Sequence, residues 1–152
     1  MRRRFTYKNN SWNDDRYLTI VSLEDGLTVS FENDLEYCIN NDYNWEILKK
    51  GEESKEIDKG NRISFRANLT PTIGGIGTFT INKKCNLKGN CGSLLYRNSA
   101  NLYDYVPSGS FYNLFYGCDT IKEVSPYLLP NVSDYFATTV FSSSVSISHH
   151  TI

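Results

Sequence analysis

The run Tyr17-Leu18-Thr19-Ile20-Val21-Ser22-Leu23, the break Glu24-Asp25-Gly26 and the return Leu27-Thr28-Val29-Ser30-Phe31 decide the fold. Apolar and β-branched residues fill both runs, and such side chains favour a pleated chain. Asp-Gly between two apolar runs signals a tight turn, because glycine adopts a positive φ without steric cost. A period of two sets Leu27, Val29 and Phe31 on one face, towards a common core.

The pattern repeats outward. Asn33-Asp34 turns the chain, and Leu35 to Ile39 reads as a third strand. Asn40-Asn41-Asp42 marks another turn. Asn44 to Leu48 follows as a fourth strand, with Trp45 and Ile47 on one face. Residues 49–56 are charged, contain Gly51 and read as a solvated loop. From Arg62 to Arg66, Ile63 and Phe65 alternate with polar partners, the mark of an antiparallel strand with one wet face. Asn68, Pro71, Gly74, Gly75 and Gly77 predict a mobile loop. Ile76 to Ile81 is the next strand, and Cys85 to Leu87 adds a short one. Short strands at turn spacings of about ten residues predict a mainly β chain. The expected architecture is a β-sandwich, jelly-roll-like, over residues 16–90, preceded by an N-terminal arm over residues 1–15.

After Gly89 the pattern loosens, and residues 91–152 are expected to form a short appendage of α/β, leucine-rich-repeat-like character. An offset of 26 residues sets Leu114 on Val140, Phe115 on Phe141, Ile121 on Ile147, Tyr112 on Thr138 and Cys118 on Ser144. That offset lies inside the period range of leucine-rich repeats. Two short apolar helices of similar spacing give the same signal. A lone repeat cannot bury its own apolar face, so these residues must lean on the β module.

Composition narrows the function. The chain holds 11 Tyr and 8 Phe against 1 Met, and its net charge is −1. Such a balance gives no electrostatic case for nucleic acid as a partner. Arg2, Arg3 and Arg4, with Phe5, read as an assembly arm. Residues 5–10 offer no apolar core for export, and no apolar run approaches the ~20 residues that span a membrane. The chain is therefore expected to be made and kept in a cytoplasm unless another route releases it. Cys38, Cys85, Cys91 and Cys118 include one close pair, spaced C-x5-C, and the histidines are His149 and His150. Zinc sites use shorter spacings, so neither a metal nor another cofactor is expected. Free, buried thiols fit a reducing compartment, with a Cys85–Cys91 disulfide conceivable only after export.

No catalytic constellation stands out, and the expectation is a protein that is not an enzyme. Acidic residues sit in turns (Asp14-Asp15, Glu24-Asp25) or in the solvated loop (Glu52-Glu53, Glu56), where turn chemistry and solubility explain them. Gly74-Gly75-Ile76-Gly77 lacks the Lys-Ser/Thr of a phosphate loop and opens a strand. The sequons Asn68-Leu69-Thr70 and Asn131-Val132-Ser133 matter only in a glycosylating pathway. Trp12, Tyr37, Tyr43 and Trp45 form one candidate sugar-stacking set, with core packing the default for those on strands. Tyr103, Tyr105, Phe111, Tyr112 and Tyr116 form a dense second set, read as an intersubunit or glycan contact.

The strings MRRRF (1–5), YLTIVSLEDGLTVSF (17–31), NDLEYCINNDYNWEIL (33–48), GNRISFRANLTPTIGGIGTFTI (60–81) and CNLKGNCGSLLY (85–96) resemble the amino-terminal module of a repeat family of gut bacteria and their phages. FYNLFYGCDTIKEVSPYLLP (111–130) resembles that family's first BspA-type leucine-rich repeat. Leu129-Pro130-Asn131-Val132-Ser133 departs from the family's Leu-Pro-Ala-Thr-Thr-Leu string, and Ser142-Ser143-Ser144-Val145-Ser146 from its Gly-Cys-Thr-Ser-Leu string. The whole is similar to head-fibre or capsid-decoration proteins of crAss-like phages. That resemblance implies a non-enzymatic virion structural protein on the particle surface. It would self-associate as a homodimer or homotrimer and dock on other virion proteins, with lysis making a signal peptide unnecessary. The alternatives are a carbohydrate-binding module for host surface glycans and a fragment of a secreted bacterial repeat adhesin.

Overall fold

In the computed structural model, residues 16–72, 74–97, 109–126, 128–129 and 140–141 are described. In strand β1 (Leu18–Ser22) four of five residues are buried, Val21 being half-buried. Leu18 and Ile20 are buried on one side, Thr19 on the other. Thr19 Oγ1 donates to the Tyr17 carbonyl (2.9 Å) and pairs with Ser64 Oγ (2.8 Å), so neither buried hydroxyl is left unsatisfied. On either side of β1 lie β5 (Arg62–Arg66) and β7 (Cys85–Lys88), both antiparallel to it. Beyond β5 come β3 (Leu35–Ile39) and the edge strand β4 (Glu46–Leu48). Beyond β7 comes β8 (Ile121–Val124), which runs parallel to it. The six-stranded sheet is thus mixed, in the order β4-β3-β5-β1-β7-β8.

The turn at Asp25-Gly26 forms, with Gly26 at φ 83°. It does not join paired strands. Both edges of β1 are already taken, and the chain crosses to a second layer, where β2 (Val29–Phe31) pairs with β6 (Phe79–Ile81). On its other side β2 is lined by residues 54–57. Ser54 N–H donates to the Val29 carbonyl (2.8 Å), and Leu27 and Ile57 exchange two backbone bonds of 2.9 Å. Leu27, Val29 and Phe31 are buried, as their alternation predicts.

Phenylalanines join the layers. Phe79 of β6 lies 4.3 Å from Phe31, 5.2 Å from Phe65 of the large sheet and 5.4 Å from Phe115, by ring centroids. Phe115 in turn stacks on Phe141 at 5.4 Å, with the rings 11° from parallel. Backbone bonds follow the same ladder: Phe79 N–H to the Leu114 carbonyl (2.8 Å) and Phe115 N–H to the Val140 carbonyl (3.1 Å). Residues 109–118 therefore lie along residues 75–81. Further on, Cys85 N–H donates to the Thr120 carbonyl (3.0 Å) and Cys91 N–H to the Leu128 carbonyl (2.7 Å). The described residues from Cys91 onward, among them Leu94, Phe111, Leu114, Phe115, Ile121, Leu128 and Val140, share a core with the β module, and β8 shares its large sheet. The regular helical element among the described residues is a 3-10 turn at Cys91–Leu94, so the appendage shows strand and coil there.

Two glycines of the 74–77 segment, Gly75 and Gly77, have steric reasons. A Cβ on Gly75 would sit 2.4 Å from the Tyr112 carbonyl oxygen, and one on Gly77 would sit 2.9 Å from the Phe31 ring. Both also hold positive φ, 94° and 134°. The segments approach each other here because no side chain intervenes.

Where β1 and β5 part, Ser93 fills the gap. It is wholly buried, accepts from Leu18 N–H (3.0 Å) and donates to the Phe65 carbonyl (2.8 Å). Ser93→Ala leaves two buried backbone groups unpaired and is expected to cost about 1–3 kcal/mol. Phe79→Ala removes the ring between the layers and is expected to cost about 3–5 kcal/mol. Urea unfolding followed by tryptophan fluorescence checks both. If Phe79→Ala matches the wild type, that ring does not hold the layers together.

Candidate functional site

The face of the large sheet turned away from the Phe79 cluster carries a strip of charged and aromatic side chains. Register builds it. Glu36 on β3 stands opposite Arg66 on β5 and opposite Ile47 on β4. Arg66 Nε meets Glu36 Oε1 at 2.7 Å, and Arg97 Nη2, arriving after the 3-10 turn, meets Glu36 Oε2 at 2.8 Å. One carboxylate is shared by two guanidiniums, all three side chains being partly withdrawn from water. Such charge-assisted bonds are stronger and better aligned than exposed pairs.

The Arg66 guanidinium also lies over the Trp45 ring, 4.1 Å from its centroid, in cation–π contact. Tyr17 meets Trp45 edge-on at 5.0 Å, and Tyr43 completes the cluster at 6.4 Å from Trp45 and 6.5 Å from Tyr17. Tyr43 has φ 56°, a left-handed backbone that is uncommon for an aromatic residue. Its loop makes this possible: Asn40 and Asn41 are left-handed too, Asp42 N–H bonds the Ile39 carbonyl, and Asp42 Oδ1 accepts from Asn44 N–H. The loop thus holds the Tyr43 ring beside Trp45.

At the end of the strip, beside the triad, opens a cleft of about 240 Å³. Its walls are Ile47, Leu69, Lys49 and Asn68 around the Arg66–Glu36–Arg97 triad, with Asp34 at one side. Ile47 is 63% exposed, the most open large apolar side chain among the described residues. Arg97 N–H bonds Asn68 Oδ1 (3.3 Å), which ties the segment after the 3-10 turn to the segment after β5.

The residues singled out from sequence fall in different places. Tyr43 and Trp45 come together on this strip, whereas Tyr37 points into the core. Phe111 is wholly buried, so it packs the core instead of offering a contact surface, while Tyr112 and Tyr116 of the same run are exposed. Arg2, Arg3, Arg4, Phe5, Trp12, Tyr103, Tyr105, His149 and His150 lie outside the described residues. The sequence reading missed Glu36, Arg66 and Arg97 as a unit. The signal was the charge of Arg62 and Arg66 flanking Ile63 and Phe65, which the reading took for a plain wet face.

The four cysteines are free and buried. Burial pushes the Cys85 and Cys118 thiols up to about 12, with each also raised by a neighbouring acidic group, Cys118 and Asp119 respectively. Burial likewise raises Cys91 and Cys38. Neutral, enclosed thiols are poor nucleophiles. Among the described residues no group of three or more His, Cys, Asp or Glu side chains is arranged to hold a metal, and no helix is long and apolar enough to cross a membrane. Scans of the chain against protein-family models, curated proteins and solved structures find no match.

These thiols couple stability to pH. They stay protonated in the folded chain while unfolded thiols titrate near 9.0, so their contribution is complete below about 9 and is lost as pH rises towards about 12. The urea midpoint is expected to fall across that window, less steeply in Cys118→Ala. In the native protein at neutral pH a disulfide reagent should label none of the four until denaturant is added. Rapid native labelling of Cys85 or Cys118 would contradict their enclosure.

Proposed function

We propose that this protein is a non-enzymatic structural module of a bacteriophage particle surface, a head-fibre or capsid-decoration protein that self-associates and docks on a larger assembly. The observation that carries the reading is the stack of Phe79, Phe115 and Phe141, backed by the parallel pairing of β7 with β8. The 26-residue offset aligns Phe115 with Phe141, and their rings stack, with Phe115 N–H bonded to the Val140 carbonyl beside them. Stacked rungs bury apolar side chains against their neighbours and leave turns for contact. Architecturally we read the molecule as a lopsided β-sandwich of six strands against two, carrying the first rungs of a leucine-rich-repeat-like stack.

The turn over residues 109–117 presents Tyr112 and Tyr116, 44% and 51% exposed. Exposed tyrosines four residues apart on a tight turn suit a protein contact, since each offers a large ring with a polar end. The resemblance of the chain to phage surface proteins supplies the particle, and the Arg2–Phe5 arm is the element we assign to docking.

Light scattering after size exclusion, in reducing buffer over a dilution series, tests self-association. A dimer or trimer that resists dilution is expected, and the double variant Tyr112→Ala/Tyr116→Ala should shift it to monomer. A wild-type monomer near 17.4 kDa at every concentration would sink the self-association.

A further inference from the structure

We infer that the cleft beside Arg66 and Arg97 binds a carboxylated sugar, a uronic or sialic acid unit of an acidic glycan. This goes beyond the assembly role and does not depend on it.

Charge is the first argument. Arg66, Arg97 and Lys49 face Glu36 and Asp34, which leaves one positive charge in surplus at the cleft. Glu36 is already shared by both guanidiniums, and Asp34 Oδ1 accepts from Lys50 N–H at 2.8 Å. The Lys49 ammonium and the remaining donors of Arg97 meet no protein carboxylate among the described residues. A partly enclosed surplus cation favours one anionic group. A guanidinium edge with free donors is planar and matches a carboxylate through two parallel bonds.

Shape and lining give the rest. A cleft of about 240 Å³ falls below the ~300–1,000 Å³ of pockets for drug-sized ligands, which suits a single ring. Ile47 and Leu69 supply an apolar wall for the C–H face of a pyranose, and Asn68 lines the same cleft, held through its Oδ1 by Arg97 N–H. From Arg66 the strip continues into Trp45 and Tyr43, aromatic surface for the next sugar of a chain. An acidic side chain of a peptide would use the charge and leave the apolar wall and the aromatic strip unfilled.

The test titrates the full chain with digalacturonic acid and with sialyllactose, each beside its methyl ester, by calorimetry. Both acids are expected to saturate at one site, with the esters weaker by roughly tenfold or more, and high salt should weaken the acids alone. Arg97→Gln, at the rim and one-third exposed, should lose roughly tenfold while keeping its thermal midpoint. Binding of one acid only would name which of the two sources fits. The inference is overturned if neither acid binds, if the esters bind as well as the acids, or if Arg97→Gln binds like the wild type. It is equally overturned if inorganic phosphate or a tetra-aspartate peptide binds as tightly as the sugars, for the site would then read charge alone.

Discussion

The ring of Phe79 is the contact on which the rest of the structure depends. It touches Phe31 of its own small sheet, Phe65 of the large sheet and Phe115 of the following rung. The first two contacts are tilted and the third is nearly parallel, 12° between planes, the offset arrangements that aromatic quadrupoles favour. Everything downstream follows from where that ring sits. Phe115 stacked on it brings Cys118 Sγ to the Phe79 carbonyl and Thr120 Oγ1 to the Ile81 carbonyl, both at 3.2 Å. Those bonds bring the chain to the far edge of β7, where β8 pairs with it in parallel. The approach is possible only because Gly75 and Gly77 have no side chain to oppose it.

How much of this was legible in the sequence depends on whether a feature is local. Strands β1, β3 and β5 were readable because apolar residues alternate over five positions between turn residues. Their partners were not. The Asp25-Gly26 turn looks like a hairpin, yet β2 pairs with β6, fifty residues away, because β1 is already flanked on both sides. β8 went unread as a strand since Ile121-Lys122-Glu123-Val124 lacks alternation and exists as a strand only through β7. The close approach at Gly75 and Gly77 was not legible, because it leaves the same glycine trace in sequence as a loop. Phe111 looked like part of an aromatic surface run, and only the stacking of its rung buries it.

The site shows the same division. That Trp45 and Ile47 share a face follows from a period of two. That Glu36 stands between Arg66 and Arg97 follows from sheet register and from the path of the 3-10 turn, neither of which is written locally. Ser93 links these facts. By bridging Leu18 and Phe65 it pins the 3-10 turn to the end of the sheet, and Arg97 four residues later is thereby placed within reach of Glu36. A buried serine that mends a gap in the ladder also positions a charged group on the opposite face.

The charged cleft and strand β8 occupy opposite ends of one sheet. The cleft lies over β4, β3 and β5, while β8 forms the other edge. At the usual spacing of neighbouring strands, β3 and β8 stand about 19 Å apart. The strand between them, β1, is buried at four of its five residues and hydrogen-bonded along both edges, so neither end can shift without disturbing the most enclosed part of the core. The charged cleft near one edge and β8 at the other are thus held in place by the same central strand.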